Sequence, residues 1–211
     1  MAQTLEASVI EDAKKLTVKD KEGKEYTFGS LLEKQDSIVV FIPNVCVTYF
    51  MTDMPRRLGS QSCQQYTRQL AGISPDALAK ANKQLLVIGC GEPDVMDFYI
   101  EATGYKGPLY ADSSRAIFDK FGLISNLKVT PDGEPKRSNL QASRLNVFFT
   151  SFWRGPVKNA KYLGKEGKVS QLGGEFIFTK DGQCTFLWRM KHTEDHIEVA
   201  DLMREAGVEY P

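Results

Sequence analysis

The chain reads as an α/β protein, with a mixed central sheet flanked by helices. Two apolar runs, Ser37-Ile-Val-Val-Phe-Ile42 and Leu85-Leu-Val-Ile-Gly-Cys90, have the character of central strands covered on both faces. Capped helical segments alternate with them, which implies layering with right-handed crossovers. A late pair of apolar runs around Lys180-Asp-Gly-Gln183 adds an antiparallel hairpin.

In chain order, Leu16 to Phe28 alternates around a Glu22-Gly23 turn and predicts a small hairpin. Phe28 to Lys34 predicts a short helix with Ser30 near its cap. Pro43 ends the first core strand. A helix follows over Gly59 to Ala71, and another begins at Ser74-Pro75, a hydroxyl cap with proline at the first helical position. After the second core strand, Glu92 to Gly104 predicts a helix closed by glycine. Pro108 to Asp112 is a third strand, and Ser113 to Gly122 another capped helix. Residues 123–142 are polar and rich in turn formers; Ser143 to Trp153 is aromatic and predicts a helix. Gly174 to Thr179 and Cys184 to Trp188 form the late hairpin. Thr193 to Gly207 predicts the last helix, with Thr193 and His196 at its start.

This order is that of a thioredoxin-like fold, with an expected sheet of four or five strands. One such domain is expected across residues 1–211, with an insertion at 47–62 and an irregular segment at 123–170. The 27 basic and 27 acidic residues cancel, and no basic run supports nucleic-acid binding. Apolar runs fall far short of the ~20 residues of a membrane helix. The N-terminal residues lack a signal pattern, and four cysteines in 211 residues do not make a secreted disulfide framework. The expectation is a cytoplasmic protein without nucleic-acid or membrane partners.

Cys63 is the leading candidate for chemistry. It follows a buried strand and is placed at a helix N-terminus, where backbone N–H groups favour a thiolate. Such a thiolate attacks a peroxide or a disulfide; the alternative is a packed, inert thiol. Arg56 and Arg57 are candidates to add positive charge.

Several segments resemble the AhpC/TSA-type peroxiredoxin-like proteins, a thioredoxin-fold branch that includes the prostaglandin F and prostamide synthases, and their fungal members in particular. They are Val39 to Ile42, Cys63-Gln-Gln-Tyr-Thr-Arg-Gln-Leu70, Leu86-Val-Ile-Gly-Cys-Gly91, Pro108 to Asp112, Gln171-Leu-Gly-Gly-Glu-Phe176, Arg189-Met190 and Thr193-Glu-Asp-His196. The resemblance implies Cys-x-x-Cys at the start of the helix after the first core strand. Cys63 matches its second cysteine, but Ser60 stands three residues before it. Cys46 is the candidate for the displaced first cysteine, giving Cys46-x16-Cys63. The peroxiredoxin Pro-x-x-x-Thr/Ser-x-x-Cys pattern is absent around both thiols, and the cis-proline that usually faces the thioredoxin disulfide has no counterpart before Gly174-Glu-Phe176.

The resemblance implies a thiol oxidoreductase acting on a peroxide or small organic substrate. Cys63 is its nucleophile, Cys46 the resolving thiol and an external thiol the reductant. A disulfide would need the insertion to loop out and return; otherwise Cys46 is a buried strand-end residue. Arg189 is a candidate anion or thiolate contact, or else a surface ion pair. Cys90 reads as core, and Cys184 has no evident partner. His192 and His196, four apart, could share a helix face and bind metal, though no further ligand cluster supports this and capping or packing is the plainer role of His196. No metal or cofactor is expected.

The second functional reading is a non-redox isomerase, cyclase or binding protein. Its apolar pocket would be formed by Tyr49, Phe50, Met51, Met54, Ser60, Phe148, Phe149, Phe152 and Trp153. The same side chains also suit plain core or a homodimer face, so an interaction module is a third reading.

Overall fold

The computed structural model describes residues 5–43, 59–131, 133–135, 137–138, 165, 167–168 and 170–211; residues 59–61 are described as backbone only. Among these, β1 (Thr17–Lys19) and β2 (Glu25–Thr27) form the first hairpin, in the register Thr17↔Thr27 and Lys19↔Glu25. The central strand β3 (Asp36–Ile42) runs parallel to β4 (Lys83–Gly89), which runs parallel to β5 (Leu109–Ala111). On its other side β3 pairs antiparallel with β6 (Gly174–Phe178), and β6 with β7 (Cys184–Arg189). The hairpin attaches at the far edge, giving one mixed sheet in the order β2-β1-β5-β4-β3-β6-β7. Its seven strands exceed the expected four or five, because the early hairpin joins the sheet through a single register pair, Lys19↔Ala111.

The alternation of β3 explains the two cores. Ile38, Val40 and Ile42 face one layer, with α3 (Gly59–Ala71), α5 (Met96–Thr103) and α7 (Val199–Ala206). Val39 and Phe41 face the other, with α1 (Ala7–Lys14), α2 (Phe28–Leu32) and α6 (Ala116–Lys120). Phe41 is the hub of the second layer, in edge-on contact with Phe118, Phe121 and Phe176. A short helix, α4 (Pro75–Lys80), leads into β4.

Local chemistry departs from the sequence-based expectations at four places. The helix α1 was not foreseen, since only Ile10 and Ala13 mark its buried stripe. The cap of α2 is Thr27, whose hydroxyl accepts from Ser30 N–H. The cap of α6 is the Asp112 carboxylate, which accepts from the N–H groups of Ala116, Ile117 and Phe118; Ser113 instead donates to Gly91 O and the Glu92 carboxylate. The last helix begins at Val199 rather than Thr193, and the residues before it form a pinned loop. Asp195 holds that loop by accepting from Lys191 N–H and Arg137, while its carbonyl accepts from Trp188 Nε1.

Candidate functional site

Helix α3 opens at Gly59, as the sequence indicates, which makes Cys63 its fifth residue. The thiol therefore lies one turn deeper than a helix mouth, where the terminal dipole has largely faded. It is also packed: Cys63 is 1% exposed. Tyr66, Thr67 and Leu70 follow it on the same buried face, at the spacing of an amphipathic helix.

Below that face lies a polar cluster that sequence reasoning missed. Glu175, the second residue of otherwise apolar β6, is fully buried opposite Val40. Its Oε1 is 2.6 Å from Nδ1 of His196, which is also fully buried. The His196 ring lies flat on Tyr66, with centroids 4.2 Å apart and planes within 7°. Among the described residues Glu175 Oε2, His196 Nε2 and Tyr66 Oη are buried with no partner at full hydrogen-bonding geometry, although the Tyr66 hydroxyl and the Ile197 N–H lie near enough to the Glu175 carboxyl to interact with it. Beside them Thr67 Oγ1 and Tyr99 Oη share a hydrogen bond of 2.7 Å. Burial pushes the Glu175 carboxyl above the usual carboxylate range, against the pull of His196. It pushes the Tyr66 hydroxyl well up, helped by the charges of Glu175 and Glu198. The only signal in sequence was an acid inside Gly174-Glu-Phe-Ile-Phe178.

The other candidates separate. Arg189 lies on the α6 side of the sheet, where its Nε donates to Phe121 O at 2.6 Å; Tyr66 and Leu70 of α3 belong to the opposite layer. Cys90 donates to Pro43 O at 2.7 Å, and burial pushes its thiol up to about 12. Burial pushes Cys184 up to about 11. His192 and His196 share no helix face, because α7 starts after both. Among the described residues no cluster of three or more His, Cys, Asp or Glu side chains is arranged to hold a metal.

Cys46, Tyr49, Phe50, Met51, Met54, Arg56, Arg57, Phe148, Phe149, Phe152 and Trp153 lie outside the described residues, and Ser60 enters only as helix backbone. A groove of about 330 Å³ opens elsewhere, lined by Tyr26, Met96, Ile100 and Tyr105 among others. Among the described residues no helix is long and apolar enough to cross a membrane.

The family model described as AhpC/TSA antioxidant enzyme matches residues 70–192, more than half of the chain. The chain belongs to this family. Peroxiredoxin-like 2C of Mus musculus is 27% identical over 210 residues, covering 98% of this chain and 82% of the relative. Its Homo sapiens counterpart is 27% identical over 211 residues, covering 99% and 83%. Among solved structures, the peroxidoxin BcpB of Mycobacterium tuberculosis aligns with a TM-score of 0.55 at 12% identity, covering 91% of both chains. Peroxiredoxin Q of Xanthomonas campestris aligns with a TM-score of 0.55 at 13% identity, covering 93% of this chain and 90% of its own. At such identities the likeness is one of fold. It agrees with a thioredoxin-like sheet in which α3 follows the central strand.

Proposed function

We propose that this AhpC/TSA member is a thiol-dependent peroxidase-like oxidoreductase with Cys63 as its nucleophile. The observation that carries the proposal is the place of Cys63, in the first two turns of the helix that follows β3, three residues before the tyrosine that stacks on a buried acid–imidazole pair. The Cys63 thiolate attacks the distal oxygen of a hydroperoxide, the O–O bond breaks, and the alcohol leaves after taking a proton. Cys63 becomes a sulfenic acid. The Cys46 thiol then displaces water to form a disulfide, which an external thiol reduces. Neither Cys90 nor Cys184 competes at neutral pH, since both thiols are held protonated by burial.

One observation favours a second reading. A thiol 1% exposed meets an oxidant only when its surroundings give way. A non-redox small-molecule enzyme or binding protein needs no such opening. In that reading Tyr49, Phe50, Met54, Ser60, Phe149 and Trp153 line the pocket. Peroxide consumption with an external dithiol, compared between the wild type and Cys63→Ser, separates the two. Loss of turnover in the variant supports the thiol reading, and unchanged turnover or none in either protein removes it.

A further inference from the structure

The pair formed by Glu175 and His196 is more than a pin for the loop before α7. That loop is already held by Asp195 through Arg137, Lys191 N–H and Trp188, and by Glu194 through Thr130. A buried pair kept only for shape has its polar atoms satisfied. Here, among the described residues, the second imidazole nitrogen is buried without a hydrogen-bond partner, and the hydroxyl of the stacked tyrosine reaches the Glu175 carboxyl only outside full hydrogen-bonding geometry. The pair also has a defined route to the thiol. Tyr66 carries His196 on its ring face, and Cys63 precedes Tyr66 by three residues on the same buried helix face. Side chains at that spacing are neighbours, about 5–6 Å apart at their Cβ atoms.

We infer that Glu175 and His196 form a positioning pair for Cys63, setting the charge beneath α3 and coupling the thiol's ionisation to the proton that the pair holds. The inference rests on the reading of Cys63 as the reactive thiol. With Glu175 ionised and His196 neutral, the pair carries one negative charge and disfavours a second on sulfur. With one more proton the pair is neutral, and the thiolate forms more readily. Burial of the acid, which raises its proton affinity, works in the same direction. The other groups facing the pair are Tyr66 from α3, Asp195 and Glu198 from the loop before α7, and Arg137, which pairs with Asp195 at 3.2 Å. Ser138 donates to Glu198 from both its N–H and its hydroxyl, so both acids already have polar partners.

The test reads both ends of the coupling. Thiolate absorbance against pH, with the Cys63→Ser signal subtracted, gives the Cys63 midpoint in the wild type and in Glu175→Gln. The expected shift in Glu175→Gln is a fall of about one pH unit, the effect of a unit charge across several ångströms of protein. The chain has two histidines, so NMR titration of the imidazoles includes His192 as an internal control. Coupling is reciprocal, so the His196 midpoint should differ between the wild type and Cys63→Ser while that of His192 stays put. Should Glu175→Gln fail to fold, the histidine titration carries the test alone. Unchanged midpoints at both ends overturn the inference. Shifted midpoints in a wild-type protein that turns over no peroxide remove the peroxidase reading and leave the coupling intact.

Discussion

His196 Nδ1 and Glu175 Oε1 lie 2.6 Å apart, and neither side chain reaches solvent. Removing one member leaves the other buried without its partner. His196→Ala should therefore destabilise the fold by about 3–5 kcal/mol. Replacing both members with leucine should cost less than the sum of the single changes, because no charge is then stranded. Urea melts of the two single variants and the double variant test this. Additive losses would show that the pair is not coupled.

The same pair gives stability a pH dependence of defined sign. The carboxyl of Glu175 is raised above its ordinary value of 4.5 in the folded chain, so the folded state holds the proton more tightly than the unfolded one. Its contribution is fully present below 4.5 and is lost as pH rises toward the folded value. Asp36 acts in the opposite sense. Bonds from Lys83 and from Lys180 N–H hold its carboxyl below the usual range, so its contribution is present above 3.8 and is lost as pH falls further. It is partly solvated, so that term should stay below about 1 kcal/mol. Thermal melts across the acid range should show Glu175→Gln removing the decline above 4.5 and Asp36→Asn flattening the acid limb.

Asp112 is 1% exposed and accepts from three consecutive N–H groups at the start of α6. Asp112→Ala should lose about 1–2 kcal/mol, the usual range for a lost cap. Ser113→Ala should lose clearly less, since Ser113 does not cap this helix. Chemical denaturation of the two variants ranks the residues, and the reverse order would contradict the cap assignment.

Gly173 packs against the end of β3. A Cβ there would run into the carbonyl oxygen of Phe41. Gly173→Ala should cost about 1–3 kcal/mol through forced displacement of backbone, and a melt indistinguishable from wild type would contradict that close approach.

Much of the architecture was legible because it rests on local pattern. Strand β3 is apolar on both faces, so its central place follows from Ile38 to Ile42 alone. The start of α3 at Gly59 and the glycine closure of α5 at Gly104, with φ +72, were also readable. What escaped depends on distant partners. Thr193 and His196 resemble a helix start, but bonds to Asp195 from Arg137 and Lys191, together with the pull of Glu175 on His196, hold that stretch out of the helix. Glu175 meets an imidazole 21 residues away, which no local period reveals. Arg189 was placed near the end of the sheet correctly, yet strand alternation turns it toward Phe121 and away from the layer of α3. Cys63 was placed on the right helix, but local spacing does not reveal its 1% exposure.

If Cys63 is the thiol that meets peroxide, it is the first sulfur to be oxidised. The direct measurement is stoichiometric hydroperoxide treatment of the reduced protein, with a sulfenic-acid trap, peptide mapping and parallel turnover assays of Cys63→Ser and Cys90→Ser. The expected result is trapping at Cys63, loss of turnover in Cys63→Ser and retention in Cys90→Ser, whose native thiol burial pushes up to about 12. Turnover that survives in Cys63→Ser, or a trap that labels Cys90 or Cys184 in preference to Cys63, would contradict it.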